Sequence, residues 1–116
     1  MSGFQQACLL SEVPMNGARR VFVDGTPIAL ARTEEGVFAI NDRCSHADVS
    51  LAEGEIDGCT IECWLHGSAF DLRTGAPLSL PAFLSVPVYP VRVVGEGESA
   101  LVEVDPTPIP VTTPAG

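Results

Sequence analysis

Apolar and polar positions alternate over short stretches of this chain, and no stretch carries a sustained helical period. Residues 19–23 (RRVFV) predict a strand, Asp24-Gly25 a tight turn, and residues 27–32 (PIALAR) the returning strand. Thr33 to Gly36 reads as a second turn and residues 37–40 (VFAI) as a third strand. Further strands are predicted at 59–62 (CTIE), where apolar and polar residues alternate, and at 69–72 (AFDL), followed by a turn at Arg73-Thr74-Gly75. Residues 86–94 are rich in valine but interrupted by Pro87 and Pro90, which predicts an edge strand or a bend. After a Gly95 to Glu98 turn, residues 100–104 (ALVEV) predict the last strand. A short helical turn is predicted around 48–53. Residues 106–116 (PTPIPVTTPAG) are predicted to be a flexible Pro/Thr-rich tail, which leaves 1–105 as one all-β domain.

Size and composition agree with that pattern. The chain has 116 residues, 11 of them glycine and 10 proline, with 6% aromatics. One core fits in that length, built mainly from Val, Leu, Ile and Ala, and the turn-forming residues favour short strands. Charge narrows the function. Six arginines face 15 acidic residues, a net of −9. A polyanion such as nucleic acid, or an anionic membrane surface, would be repelled. A basic protein surface is the natural complement. The first residues have no basic region or long apolar run, so no secretory leader is predicted and the expected location is cytoplasmic. In that compartment the four cysteines are better suited to metal binding, reactivity or small core positions than to disulfides.

Both histidines of the chain lie within three residues of a cysteine, in Cys44-Ser45-His46 and in Cys63-Trp64-Leu65-His66. Two thiolates and two imidazoles suit a tetrahedral zinc ion. They equally suit a [2Fe–2S] cluster with both sulfurs on one iron and both nitrogens on the other. A zinc finger pairs Cys with Cys and His with His along the chain, whereas here each segment supplies one of each. The intervals from Cys8 and Cys59 match no all-cysteine cluster. Both read as small core residues in apolar strands.

Cys-x-His, sixteen residues, then Cys-x-x-His resembles the motif of Rieske-type ferredoxins. The resemblance covers residues 37–94. It includes Glu53 to Gly58, the run Cys63 to Asp71, Thr74-Gly75 and Leu80-Pro81-Ala82. It is nearest to the ferredoxin subunits of non-haem iron oxygenases, and among these to an actinobacterial subgroup encoded beside iron–sulfur assembly genes. The resemblance implies a Rieske fold: an antiparallel β-sandwich base with a small subdomain carrying two cluster-binding loops. It implies that Cys44 and Cys63 bind the inner iron, that His46 and His66 bind the outer iron through Nδ1, and that Pro81 covers the cluster. Ser68 would donate to a cluster sulfur. Trp64 would dock a partner or shield the cluster. Phe70 stands where respiratory relatives carry a donating tyrosine, and Val49 and Leu65 stand where they carry a disulfide. With one donor fewer, the expected potential falls in the lower or middle part of the Rieske range of about −150 to +300 mV.

The function implied is one-electron transfer by a carrier that is not itself an enzyme. Its partners would be a flavin-dependent ferredoxin reductase and an oxygenase or other acceptor, with a monomer as the default state. Both histidines would be taken up by the cluster, so no 2-His-1-carboxylate oxygenase site can be assembled. Two alternatives remain: donation of electrons to iron–sulfur cluster assembly, and a zinc-stabilised interaction module without redox function.

Overall fold

The computed structural model describes residues 3–43, 50–64, 69–78 and 86–109. The described strands, in chain order, are β1 (Gln5–Leu9), β2 (Gly17–Val23), β3 (Thr26–Thr33), β4 (Gly36–Asn41), β5 (Glu55–Asp57), β6 (Thr60–Glu62), β7 (Ala69–Asp71), β8 (Val88–Tyr89), β9 (Val91–Val94) and β10 (Leu101–Val104). They form three antiparallel sheets in the orders β1-β10-β9, β2-β3-β4-β8 and β5-β6-β7. Helical structure among the described residues is confined to single 3₁₀ turns, at Leu10–Glu12, Leu51–Glu53 and Gly97–Ser99. None is long and apolar enough to cross a membrane.

The β2–β3 hairpin follows the sequence expectation closely. Val23 pairs with Thr26, so Asp24 and Gly25 alone make the turn. Both have positive φ (52° and 79°), the geometry that suits Asp-Gly in a two-residue hairpin. β3 then runs through the middle of the molecule with both faces covered. Ile28 and Leu30 point into a core shared with Val13, Val21, Ala39, Tyr89, Val102 and Val104. Ala29 and Ala31 point the other way, into a second core with Ile40, Leu51, Ile61, Phe70, Leu72 and Val86, so the single core expected from the chain length is divided in two by this sheet. Large residues thus face the β1-β10-β9 sheet, and small ones face the β5-β6-β7 sheet. Pairing puts Ala29 opposite Ile40 and Leu30 opposite Ala39, so large and small residues interlock across the β3–β4 ladder.

Two strands lie outside the sequence reading, and the valine-rich stretch bends as its prolines predicted. β1 and β5 were not expected. β1 completes a sheet edge by pairing Gln5 with Val104 and Leu9 with Leu101, with a bulge between Gln6 and Cys8. The valine-rich stretch divides at Pro90: β8 joins one sheet and β9 another. The proline marks the crossing between them, since it has no N–H to give to either ladder. The helical turn expected around 48–53 is a 3₁₀ turn at Leu51–Glu53. The described start of the C-terminal segment lies along β8, with Ile109 N donating to Val88 O at 2.8 Å. Residues 110–116 fall outside the described residues.

Candidate functional site

Of the residues expected to bind or border the cluster, Cys63 and Trp64 are described. Cys44, His46, His66, Ser68 and Pro81 lie outside the described residues. The ends of the chain segments that hold them are well defined. Residues 44–49 are bounded by Arg43 and Ser50, which form an antiparallel bridge. Residues 63–68 connect β6 to β7, where Glu62 pairs with Ala69. Residues 79–85 are bounded by Leu78, whose N–H donates to Ala69 O, and by Val86, whose N–H donates to Gly75 O. Leu51, Ile61, Cys63, Phe70 and Val86 belong to one buried cluster, so one core anchors the bases of all three segments.

Cys63 is 1% exposed and Trp64 is 52% exposed. The border between core and surface therefore falls between two consecutive residues, because β6 ends at Glu62 and the chain leaves the sheet there. Phe70, at the tyrosine-like position, is wholly buried in the same core.

The entry to the first segment is built from polar side chains. Asn41 Oδ1 accepts from Arg43 N at 3.0 Å, while Asn41 Nδ2 donates to the Tyr89 hydroxyl at 3.0 Å. Asp42 is only 3% exposed. Its Oδ1 accepts from Ser50 Oγ at 2.8 Å and from Ala52 N at 2.9 Å. Its backbone oxygen accepts from Leu51 N at 2.6 Å. One residue before the segment thus holds the three that follow it, Ser50 and Ala52 through its carboxylate and Leu51 through its backbone oxygen. Arg20 approaches the other oxygen at 3.8 Å and is half exposed, which makes it a weak partner. Asp42 was not identified from the sequence; its only signal was a carboxylate two residues ahead of Cys44.

Of the two remaining cysteines, Cys59 differs from expectation and Cys8 does not. Cys59 is not a core residue in a strand. It sits in the β5–β6 turn, partly exposed, and its thiol donates to Glu35. Arg73 donates to the other oxygen of the same carboxylate, so Glu35 ties the β3–β4 turn to the small sheet. The hydrogen bond to Glu35, followed by partial burial, raises the Cys59 thiol above its usual range. The Cys59 hydrogen bond and then the Arg73 partner hold Glu35 below the ordinary carboxylate range. Cys8 is partly buried against the base core, and burial followed by the charge of Glu12 raises its thiol as well.

Two outcomes follow. Asp42→Ala strands the Ser50 hydroxyl and the Ala52 N–H, and is expected to cost about 1–3 kcal/mol in chemical denaturation. Asp42→Asn keeps an acceptor oxygen and should recover most of that loss; an Asn variant as damaged as the Ala variant would contradict the clamp. At Cys59 the thiolate is the reactive form, so a raised pKa moves alkylation to higher pH. Glu35→Ala should shift the alkylation–pH profile of Cys59, followed by peptide mass spectrometry, toward lower pH. An unshifted profile would show that the carboxylate does not hold the proton.

The chain as a whole is similar to known proteins. The sequence pattern of the Rieske [2Fe-2S] domain matches residues 3–90. The 3-phenylpropionate/cinnamic acid dioxygenase ferredoxin subunit of Photorhabdus laumondii subsp. laumondii is 47% identical over 88 residues, covering 74% of this chain and 82% of that protein. The ferredoxin of carbazole 1,9a-dioxygenase from Nocardioides aromaticivorans IC177 superposes with a TM-score of 0.80 at 34% identity, covering 90% of this chain and 98% of that one. A structure described as the complex of reduced oxygenase and oxidized ferredoxin in carbazole 1,9a-dioxygenase matches with a TM-score of 0.77 at 37% identity, over 88% of this chain and 92% of the matched chain. Cys63, the described member of the donor set, fits the family's cofactor: it brings a sulfur to the lip of an apolar core, and an apolar shell limits the access of water to a metal centre. The iron–sulfur cluster, which the interleaved ligand spacing favoured over zinc, is the cofactor of the family matched here: this chain belongs to the Rieske [2Fe-2S] domain family.

Proposed function

We propose that this chain is a one-electron carrier, not a catalyst by itself, that takes electrons from a flavin-dependent ferredoxin reductase and delivers them to a non-haem iron oxygenase or similar acceptor. In this reading Cys44 and Cys63 hold the inner iron through sulfur, and His46 and His66 hold the outer iron through imidazole nitrogen. The relatives named as dioxygenase ferredoxin subunits, and the neighbour seen in complex with an oxygenase, support the role. The observation that carries it is the pairing of a sealed Cys63 with an exposed Trp64. A centre anchored on that thiol is shielded from water on the core side and lies one residue from the surface a partner touches. When bound, the cluster takes up and returns a single electron at a potential above that of all-cysteine clusters.

The surface beside Cys63 supports a basic partner. Glu53, Glu55 and Glu62 are exposed, and Glu55 pairs directly with Glu62 across the β5–β6 ladder. Like charges placed opposite each other destabilise a sheet, so this arrangement works against the fold and in favour of attracting cations. Leu78, 53% exposed, is bonded through its N–H to Ala69, the residue that pairs with Glu62. Trp64 and Leu78 thus supply apolar contact beside an acidic rim, the composition of a docking surface with an aromatic anchor. The carrier acts as a monomer that meets its reductase and its acceptor in turn.

Protein produced with ample iron should be red-brown, with two irons and two acid-labile sulfides per chain and a low-average-g EPR signal once reduced. His46→Ala should abolish that signal. Pale protein without sulfide, or an unchanged signal in the variant, would overturn the assignment. Glu62→Gln separates docking from folding, because relieving the repulsion should raise stability by about 0.2–1 kcal/mol. The same change should slow electron delivery at low salt and weaken its salt dependence. Faster or unchanged delivery would contradict the acidic rim as a docking feature.

A further inference from the structure

Gly54 lies at the junction between the bases of the two ligand-bearing segments. Its N–H donates to Leu51 O at 2.9 Å, and Leu51 N is in turn bonded to Asp42 O, at the base of the segment that holds Cys44 and His46. On its other side Gly54 faces the carbonyl of Glu62, the residue directly before Cys63. A Cβ at position 54 would fall 1.9 Å from Glu62 O, 3.0 Å from Glu62 C and 3.2 Å from Leu51 O. All three are backbone atoms, so no flexible side chain can swing aside to make room.

Backbone freedom does not explain this glycine. Its φ of −82° and ψ of −172° are extended values that any residue adopts. The hydrogen in place of a side chain matters only because two backbones meet there. Gly58, in the next turn of the same small sheet, is the opposite case. It has φ +60°, and nothing lies within 4 Å of a Cβ built on it. A side chain at Gly58 strains one turn, whereas a side chain at Gly54 forces two chain segments apart.

We propose that Gly54 is a positioning residue for the cluster, a spacer that sets how closely the base of the Cys44–His46 segment approaches the base of the Cys63–His66 segment. Each segment contributes one ligand to each iron in the ligand assignment above, on which this inference rests. A change in their separation therefore pulls on both irons at once. The potential and the g anisotropy of a mixed-ligand cluster respond to ligand geometry and to the surrounding hydrogen bonds. They do not respond to a simple loss of stability elsewhere in the chain.

The test compares full-length, cluster-loaded wild type, Gly54→Ala and Gly58→Ala by thermal denaturation, EPR of the reduced state and redox titration. Both variants should lose stability. Only Gly54→Ala should move the g values and the midpoint potential beyond the difference between wild type and Gly58→Ala. Unmoved values in a loaded Gly54→Ala protein would overturn the inference. If that variant fails to fold, the substitution is repeated with Glu62→Gln to relieve the like-charge pair. A shifted spectrum there supports the spacer role, and failure to fold there too would make the glycine a general folding requirement and overturn the specific role. A wild type lacking iron and sulfide would instead defeat the carrier reading, which keeps the two failures distinct.

Discussion

The sheet formed by β2, β3, β4 and β8 has to serve two cores at once, and that demand shapes the rest of the molecule. Burying both faces of a strand leaves no position for a polar residue, and the run Ile28-Ala29-Leu30-Ala31 meets the requirement with every member fully buried. The division of size between the faces decides where each lobe sits. Ile28 and Leu30 fill the space toward β1, β9 and β10. The two alanines let Leu51, Ile61 and Phe70 approach the opposite face. A large residue in place of Ala29 or Ala31 would push the small sheet outward, and with it Cys63.

Upon that platform the cluster-bearing lobe is held less by its own strands than by contacts at its seams. Its three strands have three residues each, too few to stand as an independent sheet. Asp42 ties the ends of the first segment together, Glu35 bonds both Cys59 and Arg73, and Gly54 lets two backbones touch. Gly75 repeats the close approach at the third segment: a Cβ there would fall 2.0 Å from Val86 O, and its φ of +77° adds a second reason for glycine. Such contacts suit an electron carrier, whose centre must change charge without a large movement of its ligands.

What could be read from the sequence follows the range of each interaction. The Asp24-Gly25 turn is local chemistry, and the Cys-x-His and Cys-x-x-His pairs are short spacings with few competing explanations. Strands β2, β3 and β4 of the central sheet were legible because short apolar runs are separated there by clear turn residues. β1 (QQACL) was missed because its polar start gives no clear period, and its pairing partner lies at the far end of the domain. β5 (EID) was missed because three residues with two acids look like a loop. Cys59 was misjudged as core because its partner, Glu35, lies 24 residues away and only the fold brings them together. The roles of Asp42 and Gly54 depend on tertiary contacts and could not be read from spacing.

The central claim is that two segments of this chain jointly hold one two-iron centre with both imidazoles on the same iron. The chain contains only two histidines, so ring-¹⁵N histidine labels the proposed ligands and no other imidazole. Pulsed EPR of the reduced, labelled protein should resolve two strongly coupled ¹⁵N nuclei of similar magnitude, both at the reduced iron. A spectrum with one such nucleus, or with none, would contradict the account.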